Sequence, residues 1–133
     1  KRLVEIARKK VPNGKFLVMD FEKLDFPQNH FDGIWASASL YHIPRRNLLE
    51  ALKKLNFVLK KNGLFFCLFR AGEGERFTEE RRGKAVLKRF AAYYNPEELE
   101  ILLSKAGFKK IISELDFIET GDWVGLFGRK FEN

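Results

Sequence analysis

Phe31-Asp32-Gly33-Ile34-Trp35-Ala36-Ser37-Ala38-Ser39-Leu40-Tyr41-His42-Ile43-Pro44 is the stretch on which the reading of this chain turns. It starts polar, runs apolar through small residues, and ends in a polar, ring-bearing tip just before a proline suited to the first turn of a helix. A short apolar run bounded in this way reads as a strand over about residues 32–38, buried on both faces as in a parallel sheet. Ligands of open α/β sheets sit beyond the carboxyl ends of such strands. The tip from Ser37 to His42 is therefore the first place to expect chemistry.

On the amino-terminal side, Leu3, Ile6, Ala7 and Val11 recur at helical spacing, and Pro12-Asn13-Gly14 breaks that helix. Phe16-Leu17-Val18-Met19 is apolar without alternation, which predicts a second buried strand over residues 15–20, ending at Asp20. On the carboxyl side, Leu48, Leu52, Leu55 and Leu59 form one stripe of a helix. Lys60-Lys61-Asn62-Gly63 reads as its end, with Gly63 at the left-handed cap position. Leu64 to Phe69 reads as a third buried strand ending at Arg70. Residues 71–75 form an acidic, Gly-containing loop, and residues 78–92 read as a weakly patterned helix. Asn95-Pro96-Glu97-Glu98 predicts an N-cap, a proline at the first helical position and a negative first turn, and Gly107 closes that helix. Residues 110–117 and 123–130 read as two antiparallel strands joined through residues 119–122. Buried strands separated by helices predict an α/β, mostly parallel sheet with helices on both faces and a C-terminal antiparallel hairpin.

Composition narrows the function classes. The 133 residues make one domain or part of one, and 45% apolar residues suit a packed core. No apolar run is long enough for a transmembrane helix, and no signal-peptide pattern is present. The single cysteine, Cys67, rules out an internal disulfide and fits a reducing, cytoplasmic setting. Cys67 sits within a buried-strand pattern, as an inert core thiol does. Two histidines and one cysteine lack metal-ligand spacing. The net charge of +7 allows an anionic partner, but the cations are dispersed, mostly at predicted helix ends and turns. The only methionine, Met19, falls inside a predicted strand, so residue 1 does not read as a translation start and the chain reads as a fragment.

Several short motifs resemble one family in matching order along nearly the whole chain. These are Asp20 at a strand end, Leu24-Asp25-Phe26-Pro27, Phe31-Asp32-Gly33-Ile34, Leu40-Tyr41-His42-Ile43, the helix end from Leu55 to Leu64, Asn95-Pro96-Glu97-Glu98-Leu99 through Ala106-Gly107-Phe108, and Trp123 to Lys130. Together they resemble the class I S-adenosylmethionine-dependent methyltransferases of type 11. Lys61-Asn62 stands where the family usually has Pro-Gly, and Gly63 is kept. The resemblance implies a Rossmann-like fold and S-adenosyl-L-methionine as cofactor. It also implies that residues 1–133 are one partial domain, truncated at its N-terminus and lacking the N-terminal strands and the Gly-rich cofactor loop. Such a fragment is expected to bind cofactor poorly and to be inactive alone. Its open sheet edges would invite a homodimer or a swapped pairing.

The resemblance also assigns roles. Asp20 would accept a hydrogen bond from the adenine amino group with Phe21 beside the ring, and Ser37 and Ala38 would border the methionine part. His42 is the catalytic candidate, placed to take a proton from an acceptor. Tyr41, Arg70, Tyr93 and Tyr94 are the substrate candidates, and of two adjacent tyrosines at most one is expected to line a site. The implied activity is methyl transfer to a small-molecule acceptor. The alternatives are a tRNA or other RNA acceptor, and a degenerate, non-catalytic binding subunit. None of these readings involves a membrane.

Overall fold

The computed structural model describes residues 2–114 and 123–131. Among these residues the helices are α1 (Arg2–Lys10), α2 (Arg45–Val58) and α3 (Pro96–Lys105). The strands are β1 (Phe31–Ser37), β2 (Leu59–Ala71), β3 (Glu75–Arg82), β4 (Ala85–Tyr94), β5 (Phe108–Glu114) and β6 (Trp123–Lys130). β1 runs parallel to β2, with Gly33 opposite Leu64 and Ser37 opposite Leu68. α2 makes the crossover that a parallel pair requires. On its other side β2 pairs antiparallel with β6, which pairs antiparallel with β5. The far end of β2 also pairs in parallel with the end of β4, Arg70 opposite Tyr93 and Ala71 opposite Tyr94. The result is a mixed, Rossmann-like sheet in the order β3-β4-β2-β6-β5, with β1 beside β2.

One face of the sheet carries the core. Ala36 on β1, Phe65, Cys67 and Phe69 on β2, and Val124 and Leu126 on β6 pack against Leu48, Leu52 and Leu55 of α2 and Leu99 and Leu103 of α3. Each of the leucines is at most 4% exposed, and each contributes about 1.5–3 kcal/mol by leaving water. The opposite face carries Trp35 stacked on Phe66 at 4.0 Å, with Phe127 at 4.8 Å from Phe66.

The N-terminus of α3 forms as its sequence dictates. Asn95 Oδ1 accepts from the Glu98 amide at 2.8 Å, and Asn95 Nδ2 donates to Glu98 Oε1 at 2.7 Å, so cap and third residue satisfy each other. Gly107 follows the helix with φ +98°.

Five expectations are corrected. β1 is not buried on both faces: Ala36 is its one buried residue and Trp35 is 69% exposed, because among the described residues β1 has β2 as its sole strand neighbour and a helix-packed core on one face. Residues 15–20 are not a strand: Leu17, Val18 and Met19 are exposed, at 47%, 62% and 39%. An apolar run becomes a strand only when a neighbour satisfies its backbone, and among the described residues β1 pairs with β2 alone. Residues 78–92 are not helical. They form the β3–β4 hairpin, in which Phe77 faces Phe90 and Glu79 faces Lys88. Gly83, at φ +62°, opens a two-residue turn between Arg82 and Ala85, a position that favours glycine. The helix before β2 stops at Val58, so Leu59 and Lys60 already belong to the strand. The left-handed residue there is Asn62, at φ 62°, and not Gly63. Asn tolerates that conformation. Gly63 is required for another reason: a Cβ on it would lie 2.7 Å from the Leu59 side chain and from the Lys60 carbonyl oxygen. Residues 115–122, which include the end of the strand expected over 110–117 and the following loop, lie outside the described residues.

Candidate functional site at the strand ends

β1 ends at the exposed Ser37, and Ala38 follows with φ 53°. A left-handed alanine costs roughly 1–2 kcal/mol, so the turn is held by what surrounds it. The anchor is Leu40, fully buried in the core at the start of a 3-10 turn, Leu40–His42. That turn presents Tyr41 and His42 beyond the carboxyl end of β1. Tyr41 is half-buried and meets Trp123 edge-on at 5.7 Å. His42 Nδ1 lies 3.1 Å from the carbonyl oxygen of Phe90. A carbonyl only accepts, so Nδ1 is the nitrogen that donates in this contact, and Nε2 is the ring nitrogen left to face a ligand.

β2 delivers the next group. Because β6 runs against β2, Trp123 at its start comes opposite Arg70 at the end of β2. Because β4 runs with β2, Tyr93 comes opposite Arg70 from the other side. The Arg70 guanidinium lies 4.9 Å from the Trp123 ring centre and 6.0 Å from that of Tyr93. Arg76 of β3 covers the Tyr93 ring at 4.1 Å. Tyr41, His42, Arg70, Tyr93 and Trp123 thus form one continuous cation–aromatic surface at the strand ends.

Arg45 braces this surface from behind. Its guanidinium donates to the Tyr93 carbonyl, pairs with the Glu98 carboxylate and lies 4.4 Å over the Tyr94 ring. Its backbone N–H donates to Glu75 Oε2 at 2.9 Å. One residue therefore ties α2 to α3, β3 and β4.

The remaining sequence candidates fall elsewhere. Tyr94 faces the core, 1% exposed, edge-on to Phe69 at 5.3 Å. Its hydroxyl has no hydrogen-bond partner among the described residues, and burial pushes its pKa up to about 12. Both tyrosines are buried, but they differ in what lies over them: Tyr94 packs into the core, whereas Tyr93, 5% exposed, lies under Arg70 and Arg76 at the strand ends. Asp20 is exposed and precedes a 3-10 turn, Phe21–Lys23, that packs against α2. Phe21 is half-buried against the core. The structure thus brings Ser37, Ala38, Tyr41, His42, Arg70 and Tyr93 to the strand ends, and holds Asp20 and Phe21 on a separate segment beside α2. Sequence reasoning missed Trp123, Arg76 and Arg45 as members of the site. The signal for Trp123 was available: the first residue of an antiparallel strand lands beside the last residue of its neighbour.

Comparison with known proteins settles the family. The family model described as a methyltransferase domain matches residues 1–67, half of the chain. The chain belongs to the methyltransferase domain family. Among curated relatives it is 30% identical over 121 residues to the ubiquinone/menaquinone biosynthesis C-methyltransferase UbiE of Rickettsia akari, covering 82% of this chain and 48% of that protein. It is 27% identical over 118 residues to the mitochondrial arginine-hydroxylase NDUFAF5 of Rattus norvegicus, covering 84% of this chain and 34% of that protein. The chain therefore spans half or less of the length of these relatives. A SAM-dependent methyltransferase of Methanosarcina mazei shares the fold at a TM-score of 0.81 and 15% identity, over 99% of this chain and 79% of that one. The 1,6-didemethyltoxoflavin-N1-methyltransferase of Burkholderia thailandensis, solved with 1,6-didemethyltoxoflavin and S-adenosylhomocysteine bound, matches at 0.74 and 18% identity, over 98% of this chain and 56% of that one.

S-adenosyl-L-methionine is the cofactor of the family. The residues present here fit that group in two respects. β1 ends in two small residues, an exposed Ser37 and a left-handed Ala38, which let a ligand approach the backbone. Asp20 is exposed immediately before the 3-10 turn that opens with Phe21. Among the described residues no helix is long and apolar enough to cross a membrane.

Proposed function

We propose that the protein transfers a methyl group to a small-molecule acceptor. The observation that carries this reading is the convergence of Tyr41, His42, Arg70, Tyr93 and Trp123 beyond the carboxyl ends of β1 and β2, with Nε2 of His42 left to face a ligand. When bound, S-adenosyl-L-methionine supplies a methyl group already activated by a positive sulfur, so alignment and exclusion of water remain for the protein. In this reading Asp20 and Phe21 hold the adenine, and Ser37 and Ala38 border the methionine end. Tyr41, Arg70 and Tyr93 shape the acceptor side. His42 takes the proton that an acceptor oxygen or nitrogen loses, while its Nδ1–H stays on the Phe90 carbonyl and fixes the ring.

The test is transfer of labelled methyl from the cofactor, assayed in parallel on small aromatic and heteroaromatic acceptors and on bulk RNA at low and high salt. Label entering small molecules, with a roughly 100-fold or larger fall in His42→Gln, is the expected outcome. Label entering RNA alone, with the steep salt dependence of phosphate contacts, overturns the small-molecule reading. No label in either pool, with no binding of S-adenosylhomocysteine, supports a non-catalytic domain instead.

A further inference from the structure

Arg70 and Arg76 stand out among the cations of this chain. Both lie against the same buried ring, that of Tyr93, which is 5% exposed. Among the described residues neither forms an ion pair with a carboxylate. Two acidic groups of the neighbouring elements are already engaged. Glu75, next to Arg76 in the chain, accepts from the Arg45 backbone, and Glu98 pairs with the Arg45 side chain. Arg70 is also half-buried. Arg76 is exposed. A half-buried guanidinium such as that of Arg70, held by ring faces, keeps most of its five N–H donors unused, and aromatic contact offsets only part of the lost hydration.

The position of these donors gives them a use. Arg70 sits between Trp123 and Tyr93, with Tyr41 on the far side of Trp123 and His42 next to Tyr41. A guanidinium fork matches a carboxylate with two parallel hydrogen bonds, which an ammonium cannot do. The half-exposed rings of Tyr41 and Trp123 offer flat apolar area immediately beside that fork.

We infer that Arg70 and Arg76 form an anion clamp, and that the acceptor is a planar aromatic acid whose carboxylate they hold while its ring packs beside Tyr41 and Trp123. This deepens the small-molecule methyltransferase reading above and rests on it for the word acceptor. The clamp itself is a binding property that can be measured without turnover.

The experiment is calorimetric titration of the full-length protein with 4-hydroxybenzoate and with its neutral isostere 4-hydroxybenzamide, in the presence of S-adenosylhomocysteine. The carboxylate is expected to bind roughly tenfold more tightly or better, the difference one charge-assisted fork supplies. Arg70→Gln and Arg76→Gln are each expected to reduce that preference, and the double variant to bring it within about twofold. Arg70→Lys, which keeps the charge but not the fork, is expected to retain part of it. Circular dichroism on each variant checks that the fold is intact. Equal binding of the two probes, binding of neither, or a preference unchanged in the double variant overturns the clamp. S-adenosylhomocysteine titrated alone separates the two claims. If it binds while the charge preference is absent, the clamp fails and the methyltransferase reading stands. If it does not bind while the preference persists in its absence, the clamp stands and the methyltransferase reading fails.

Discussion

Arg45 and Arg46 are adjacent, identical in chemistry, and look alike in the sequence as cations at the start of a helix. The structure separates them. Arg45 reaches the Tyr93 carbonyl, the Glu98 carboxylate and the Tyr94 ring at once, whereas Arg46 is exposed. The cost of Arg45→Ala can be built from its parts. A charged donor on a backbone carbonyl contributes about 1.5–3 kcal/mol. The ion pair with Glu98 has side chains 33% and 31% exposed, so solvent screening brings it down to about 0.5–1 kcal/mol. The contact with Tyr94 adds about 0.5–1 kcal/mol. These terms share one side chain and do not add fully, so the expected loss is about 2–3 kcal/mol. Urea unfolding reads this as a midpoint lowered by roughly 1 M. Arg46→Ala is expected within about 0.5 kcal/mol of the parent. Equal midpoints for the two variants, or a loss below about 0.5 kcal/mol at position 45, would refute the view that Arg45 ties α2, α3 and β4 together.

Other perturbations follow from the same packing. Gly63→Ala forces a methyl group to 2.7 Å from the Lys60 carbonyl oxygen and the Leu59 side chain; overpacking of this kind costs about 1–3 kcal/mol, and chemical denaturation measures it. Tyr94→Phe removes a buried hydroxyl that has no partner among the described residues, so a gain of about 1 kcal/mol in thermal or chemical stability is expected. The Tyr94 phenol rises from 10.0 in the unfolded chain to about 12 in the folded one. Its contribution to stability is therefore full below pH 10 and is lost as pH climbs towards 12, a decline that Tyr94→Phe should lessen in alkaline unfolding curves. Cys67 is fully buried, its thiol pushed up by burial and donating weakly to the Leu126 carbonyl at 3.9 Å. It should stay unreactive to a thiol reagent until denaturant unfolds the chain.

What could be read from the sequence tracks how local the deciding interactions are. The start of α3 was legible because Asn95, Pro96 and Glu98 satisfy one another within four residues. β1 and the turn after it were legible as a strand and a reversal because an apolar run, small residues and a helix-opening proline sit together in fourteen residues, but the burial expected on both faces was not met, since Ala36 is the one buried residue of β1. The β3–β4 hairpin was not. Phe77, Val86 and Leu87 are 70%, 50% and 42% exposed, so no single buried face imposed a period of two, and only Gly83 announced the turn. Residues 15–20 were misread for the opposite reason: the apolar pattern was present, but strand formation depends on a neighbour that the pattern does not contain. The site divides along the same line. Tyr41 and His42 follow from the end of one strand, and Arg70 and Tyr93 were named through the family resemblance, whereas Arg76 and Trp123 were not named. Arg70, Arg76, Tyr93 and Trp123 come from four strands and meet only because β4 runs with β2 while β6 runs against it. Pairing direction is a property of the assembled sheet, so a surface built from it cannot be spelled out in any one stretch of chain. For the same reason the strand-end surface is where relatives can diverge while the fold is kept, since a strand-end residue can be exchanged without disturbing the core beneath.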